Sequence, residues 1–134
     1  MNILRALLLA SLAPCAYCQA PHCEKFKSGK FYYPQMPDLG YTVREDKRQQ
    51  TFYGENNVVV TWKVKWTNVC NFDLLFDREE NGDVIFDKGD RISVTITATD
   101  GECYAFKSIF YKGGDMAGRE IPPGQMCRKT EEAK

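Results

Sequence analysis

The residues of this chain that suggest chemistry are one histidine, six cysteines and many acidic side chains. A catalytic serine or cysteine needs a base held rigidly beside it. The only histidine, His22, stands before the first patterned segment, where a solvated linker residue is expected. The acidic residues concentrate in turn-forming segments, as acids generally do, so they single out no catalytic pair. The sequence therefore predicts that the protein is not an enzyme and uses no cofactor.

Residues 77–88 imitate the calcium-binding loop of an EF-hand. Oxygen-bearing side chains occupy its first, third, fifth and seventh positions, and Gly82 occupies the sixth. The twelfth position, where a bidentate glutamate belongs, is Lys88, and no helical pattern flanks the segment. We therefore expect an ordinary hairpin loop here rather than a metal site.

The N-terminal residues have the pattern of an export signal. A basic residue, Arg5, precedes the apolar run of residues 6–13, which is too short to span a bilayer, and small residues follow. This pattern predicts a signal peptide over residues 1–18 and a mature protein that begins at Gln19. The mature protein is then expected in the periplasm or outside the cell.

A lipid anchor is the alternative to a free exported form. Residues 12–15, Leu-Ala-Pro-Cys, have the outline of a bacterial lipobox, and acylation of Cys15 would attach the protein to a membrane. Pro14 stands where a glycine, alanine or serine is normally required, so the free form is favoured. A membrane is a predicted partner only if Cys15 is lipidated.

Removal of the leader leaves four cysteines, and an even number of cysteines in an oxidising compartment indicates disulfides. None of the four belongs to a Cys-x-x-Cys pair, and their spacing matches no zinc-binding pattern. Four cysteines allow three pairings. We expect the pairs Cys23–Cys70 and Cys103–Cys127, which place one bridge over each half of the chain.

Alternating apolar and polar residues predict the strands that position these cysteines. Residues 58–66 alternate without interruption, and the pattern continues over residues 70–76 and 91–99. Further strands are expected over residues 27–33, 41–45, 48–53 and 102–111, separated by turns rich in Gly, Asn and Asp. The alternative for residues 41–53 is one strand broken by a bulge. The apolar parity expected to face inward comprises Val58, Val60, Trp62, Val64, Trp66, Phe72, Leu74, Phe76, Ile92, Val94 and Ile96.

Six to eight antiparallel strands joined by short hairpins predict an all-β meander. Because closure removes exposed strand edges, the meander is expected to coil into a small lipocalin-like barrel or half-barrel, with a two-sheet sandwich as the alternative. Residues 19–134 are expected to form a single domain whose tail is irregular from about residue 112. The 18 basic and 18 acidic residues balance, which disfavours nucleic acid as a partner.

Four segments resemble motifs of a family of small exported proteins and lipoproteins from Bacteroidota. The segments are residues 23–31 (CEKFKSGKF), 63–70 (KVKWTNVC), 88–90 (KGD) and 100–104 (DGECY). They follow the family pattern C-x2-F-K-x-G-K-F, K-W-x3-C, K-G-D and D-G-x-x-Y. The resemblance covers about residues 23–111 and implies an exported β-domain, without an activity. Cys103 and Cys127 are additional to the family pattern, which agrees with a bridge between them.

Two functions are compatible with these features. If the apolar parity packs into the protein's own core, as we expect, the protein is a non-enzymatic domain that binds a protein partner or has a structural role at the cell envelope. The alternative is a lipocalin-like carrier, whose barrel leaves room for a small apolar ligand. The candidates for lining such a cavity are Tyr33, Tyr41, Phe52, Trp62 and Trp66.

Overall fold

The computed structural model describes residues 21–83 and 85–130. The predicted signal peptide, its cleavage before Gln19 and the lipidation of Cys15 lie outside these residues. No helical segment in the described part of the chain is long and apolar enough to cross a membrane. The strands are β1 (Gly29–Tyr32), β2 (Gly40–Arg44), β3 (Arg48–Tyr53), β4 (Val59–Asn68), β5 (Asn71–Glu80), β6 (Arg91–Asp100), β7 (Cys103–Tyr111) and β8 (Arg119–Arg128), and 3₁₀-helical turns cover Glu24–Phe26 and Pro37–Leu39.

The eight strands form a closed antiparallel barrel. Each strand pairs with the next along the chain, and β8 returns to pair with β1. This order confirms the predicted all-β meander and its closure, and it excludes the two-sheet sandwich. The hairpin turn at Asp100-Gly101 joins β6 to β7, and Gly101 has φ +58° there. Glycine adopts such a positive φ without the steric penalty that other residues meet.

The strand β8 corrects the prediction of an irregular tail from about residue 112. Pro122, Pro123 and Gly124 interrupt the strand pattern in the sequence, and prolines normally argue against a strand. In the structure both prolines fall at a register shift of the β7–β8 ladder, between the pairs Ser108–Ile121 and Phe106–Gly124. Because β8 pairs with β1 only through its last residues, Arg128 and Cys127, neither proline needs to donate a hydrogen bond on that side.

The predicted inward parity faces the barrel interior. Trp62 contacts Phe76 edge-to-face, with ring centroids 5.6 Å apart. Burial of one such side chain contributes roughly 1.5–3 kcal/mol, so these strands hold much of the folding energy. The buried members are Val60, Trp62, Val64, Phe72, Leu74, Val94 and Ile96, and the partly buried members that pack against them are Val58, Trp66, Phe76 and Ile92.

One end of the barrel is closed by the first 3₁₀ turn. Its Phe26 is fully buried, with its ring centroid 4.9 Å from that of Tyr104 in β7. The disulfide Cys23–Cys70 ties this turn to the β4–β5 hairpin, and Cys103–Cys127 joins paired positions of β7 and β8. Both predicted bridges are therefore confirmed.

Gly29, at the start of β1, makes room for the side chain of Arg128 at the end of β8. It has φ +139°, and a Cβ atom at this position would collide with the guanidinium of Arg128. That guanidinium donates hydrogen bonds to the backbone oxygens of Ser28, at 3.2 Å, and of Lys25. Glycine at this position therefore leaves the space that the Arg128 side chain occupies.

Asp90 joins the loop before β6 to the loop after β7. Its carboxylate is fully buried and accepts backbone N–H groups of Asp87 and Gly113, both at 2.8 Å, and the Lys112 ammonium at 3.1 Å. Burial by itself would raise the pKa of Asp90, but the two backbone hydrogen bonds and Lys112 outweigh it and lower the pKa below its ordinary value. Asp90 is therefore an ionised anchor between two loops.

Candidate ligand-binding cavity

A cavity of about 820 Å³ occupies the barrel interior. This volume lies within the range of small-molecule sites, about 300–1,000 Å³. The inward parity therefore faces two things, a packed core at some levels of the barrel and an open cavity at others. The apolar side chains of its wall come from β5 to β8 and are Phe72, Leu74, Ile92, Val94, Phe106 and Ile121.

The cavity opens to solvent at one end and is closed at the other. Met36 and Leu39, which precede β2, form its mouth and are 55% and 38% exposed. Arg44 and Tyr104 also line the cavity, but they are only 2% and 1% exposed, and we call them, with Gln49, the floor. Since a strand rises about 3.3 Å per residue, the five residues of β2 carry the wall roughly 16 Å from Leu39 at the mouth to Arg44 at the floor.

The Arg44 guanidinium is the centre of the floor. Its Nε donates to Oε1 of Gln49 at 2.8 Å, its Nη1 to the backbone oxygen of Phe26 at 3.0 Å and its Nη2 to the Tyr104 hydroxyl at 2.8 Å. Gln49 is the position of β3 that pairs with Arg44, and Phe26 belongs to the turn that closes the barrel. The fold therefore holds this cation with partners from β3, β7 and the N-terminal turn.

Aromatic faces surround the same guanidinium. Its Cζ atom lies 4.9 Å from the ring centroid of Phe31 and 4.7 Å from that of Phe72, and Tyr104 follows at 5.6 Å. Rings attract a cation through their negative faces, and the attraction grows when water is excluded. An arginine stays protonated in proteins, so the floor carries a permanent positive charge in apolar surroundings.

Two tyrosines add hydroxyl groups to the cavity wall. Burial, followed by the neighbouring phenols of Tyr104 and Tyr53, raises the pKa of Tyr33 to about 12, although Arg44 acts in the opposite direction. Burial and then the Glu79 carboxylate raise the pKa of Tyr53. Both hydroxyls therefore keep their protons at neutral pH and can donate hydrogen bonds to a bound molecule.

Of the five residues predicted to line a cavity, the structure places Tyr33 in the wall and the other four elsewhere. Tyr41 and Phe52 are paired positions of β2 and β3, and their rings stack at 4.9 Å on the opposite strand parity from Thr42, Arg44 and Gln49. The ammonium of Lys30 lies 4.1 Å above the Tyr41 ring. These two aromatics belong to the outer face of the barrel, which corrects the prediction for them.

The two tryptophans belong to the packed part of the interior. Trp62 is enclosed by Phe76 and by Phe86, whose ring centroid is 4.9 Å away. Trp66 packs on Phe72 at 4.6 Å and has the Lys27 ammonium 5.5 Å from its ring. Their inward direction was predicted, but neighbouring rings fill the space that a ligand would need.

The floor was not predicted from the sequence. Arg44 ends a short strand next to charged residues, Glu45 and Asp46, and by composition it reads as a solvent-facing residue at a turn. The available signal was its parity, because Thr42 and Arg44 both alternate against Tyr41 and Val43. The prediction placed Tyr41 on the inner face of β2, whereas in the structure Arg44 lies on the inner face and Tyr41 on the outer face.

The other candidate chemical groups lie outside the cavity. His22 is exposed and donates its backbone N–H to the Thr99 hydroxyl at 3.1 Å. The first four residues of the calcium-loop-like segment 77–88 lie in β5, so they cannot fold as an EF-hand loop. Among residues 21–83 and 85–130, no group of three or more His, Cys, Asp or Glu side chains is arranged to hold a metal ion.

Comparisons of the chain with protein-family models, with curated proteins and with solved structures found no match. The function therefore has to be argued from the cavity itself. An eight-stranded barrel is at the size where its interior either fills with side chains or holds one small ligand. The volume of the cavity and its open mouth favour a barrel that has room for a ligand over one that is filled with side chains.

Proposed function

We propose that the protein is a non-enzymatic carrier that holds one small, largely apolar ligand inside its barrel. The observation that carries this proposal is the cavity of about 820 Å³ with an apolar wall. Closed barrels of eight strands serve this purpose when side chains do not fill their interior. The two disulfides suit a protein that works in an oxidising compartment, so export remains the proposed location.

The cavity favours the carrier over a structural role at the cell envelope. A docking surface for a protein partner is expected to contain a contiguous apolar patch. In the described part of the chain, the exposed large apolar side chains come from separate segments of the sequence. They are Met36, Leu39, Val69, Leu75, Ile85 and Met116. Met36 and Leu39 are also the residues of the mouth, where apolar side chains can contact an entering ligand.

The proposal is tested by filling the cavity. Ser108 lies on the cavity wall, and its side chain is almost fully buried, so Ser108→Trp is expected to occupy ligand space. The probe is N-phenylnaphthylamine, an uncharged fluorophore whose emission increases in apolar surroundings. We expect the oxidised wild-type protein to bind one molecule, and Ser108→Trp to weaken binding by about tenfold or more, equivalent to about 1.4 kcal/mol.

The matched control is Lys107→Trp. Lys107 is the neighbouring residue of β7, on the outer face and exposed, so it adds the same side chain outside the barrel. Circular dichroism and intact mass would show that each variant keeps its β-structure and both disulfides. Failure of the wild-type protein to bind the fluorophore, or equal binding by both variants, would contradict the proposed function.

A further inference from the structure

The proposed carrier has an unneutralised cation at the bottom of its cavity. Arg44 is 98% buried, since only 2% of it is exposed, and it lines the cavity. Among residues 21–83 and 85–130, no Asp or Glu oxygen lies within 4.0 Å of its guanidinium. All three of its hydrogen-bond acceptors are uncharged. Buried charges in proteins are normally paired with an opposite charge, so this cation lacks an expected partner.

The floor still has donors to offer. A guanidinium has five N–H bonds, and three of those of Arg44 are used by Gln49, Phe26 and Tyr104. Two N–H bonds, one on Nη1 and one on Nη2, have no acceptor among the described residues. The Tyr104 hydroxyl donates to Sδ of Met126 at 3.1 Å, and a thioether sulfur is a weak acceptor that a stronger one can replace.

We infer that the ligand is an amphiphile with a single carboxylate head group, which binds Arg44 while its apolar chain extends toward the mouth. This inference rests on the proposed carrier function and names its ligand class. A carboxylate accepts hydrogen bonds from a guanidinium and from a hydroxyl, and both kinds of donor meet at the floor. Its negative charge neutralises Arg44, the only charged side chain among the described residues that line the cavity.

The shape of the cavity fixes the direction of the ligand. The charged floor lies at the closed end, and the wall between floor and mouth is formed by apolar side chains such as Leu74, Ile92 and Ile121. A chain bound in the opposite direction would leave the Arg44 charge unpaired against hydrocarbon. A short acid without a chain would neutralise Arg44 but bury little apolar surface.

The test compares head groups on a constant chain. Isothermal titration of the oxidised wild-type protein at neutral pH uses dodecanoic acid, dodecanol and acetate. Charge-assisted hydrogen bonds are roughly twice as strong as neutral ones, so we expect the acid to bind about tenfold or more tightly than the alcohol. We expect acetate, which has the head group without the chain, to bind more weakly than either.

Variants assign the preference to Arg44. Arg44→Gln is expected to lose the preference for the acid and to keep the affinity for dodecanol, whereas Arg44→Lys, which keeps the charge, is expected to retain part of the preference. The matched control Arg48→Gln removes an exposed guanidinium that pairs with Glu45, and it should leave the preference unchanged. If Arg44→Gln does not fold, the head-group comparison on the wild-type protein still decides.

Three results would overturn the inference. Equal affinities of the wild-type protein for acid and alcohol would do so while leaving the carrier function standing. Retention of the acid preference in folded Arg44→Gln would remove Arg44 from the explanation. Failure of both dodecyl compounds to bind would overturn the ligand class, and the uncharged fluorophore then decides separately whether the cavity binds apolar molecules at all.

Discussion

Two buried charged residues, Arg44 and Asp90, have different surroundings in this fold. The Asp90 carboxylate has two backbone N–H groups and the opposite charge of Lys112 within hydrogen-bond distance. Within the described part of the chain, the Arg44 guanidinium has only neutral acceptors and aromatic faces around it. Removing one partner of a paired buried charge destabilises a fold, because the remaining charge is left uncompensated, whereas a buried charge without a counter-ion can be neutralised by an oppositely charged ligand. We therefore assign Asp90 to stability, and we propose that Arg44 binds the ligand.

The stability assignment predicts an acid-dependent effect of Asp90→Asn. Because the folded-state pKa of Asp90 is below its ordinary value of 3.8, the unfolded protein binds this proton more readily than the folded protein. The stabilisation is then complete above pH 3.8 and is lost as the pH falls through the lower folded-state pKa. At neutral pH, Asp90→Asn is expected to lower the free energy of unfolding by about 2–3 kcal/mol, the size of a charge-assisted hydrogen bond.

Urea unfolding at neutral pH and at about pH 3 would measure this difference, which should narrow in acid. The control is Asp87→Asn, which removes the exposed partner of the same Lys112 and is expected to cost less than about 1 kcal/mol. A difference between wild type and Asp90→Asn that is constant over this range would show that the Asp90 charge is not what stabilises the loops.

The roles of single residues were harder to predict from the sequence than the strands or the fold. The even number of cysteines after residue 18 predicted disulfides, and the pairing that we expected, one of three possible pairings, is the one in the structure. Arg44 was not, since its role depends on a turn from the N-terminus, on β3 and on β7, which are distant in sequence. The predicted cavity-lining role of Tyr41 and Phe52 was wrong for a related reason, because either parity of a strand can face the inside of a barrel.

At the scale of elements, a strand was predictable where its two faces differ from each other in polarity. The ranges of β2, β3, β4, β6 and β7 lie within two residues of the predicted ones, because alternation and turns rich in Gly, Asn and Asp mark most of their ends. The strand β8 was missed because its prolines obscure the pattern, and its place depends on a bulge that only the pairing with β7 reveals.

The pairing of β1 with β8 closes the barrel, and we call it the seam. The disulfide Cys103–Cys127 stabilises the β8 side of this seam. These strands pair only through Phe31–Arg128 and Tyr32–Cys127, and Cys127 is bridged to Cys103 in β7. We predict that Cys103→Ala/Cys127→Ala lowers the free energy of unfolding by about 3.5 kcal/mol, from the chain-entropy cost of its loop. Hydrogen exchange should become faster in β8 and β1 before it does in β4 and β5.

The comparison variant is Cys23→Ala/Cys70→Ala. Its bridge closes a longer loop, 47 residues apart against 24, so its removal is expected to cost slightly more, about 4 kcal/mol. Removal of this bridge should open the closed end of the barrel, where the floor lies, rather than the seam. The reason is that Cys23 directly precedes the turn that contains Phe26. Fast exchange in the same strands for both variants would contradict separate roles for the two bridges.

At the scale of the whole molecule, the sequence predicted a barrel but not its interior. Closure follows from the number of strands and their short connections, which are local features of the chain. The cavity depends on the volumes of side chains from six strands and from the segment between β1 and β2, and alternation carries no information about how completely these side chains fill the space. The choice between core and cavity therefore needed the structure.

The measurement that tests the central claim most directly is a methyl NMR titration of the oxidised protein with dodecanoic acid. If the acid binds inside the barrel, signals of Leu74, Ile92, Val94 and Ile121 shift and saturate together, because their side chains line the cavity. Signals of the exposed Leu75 and Ile85 should stay in place. Shifts confined to exposed methyl groups, with the four interior residues unchanged, would contradict a ligand-binding barrel.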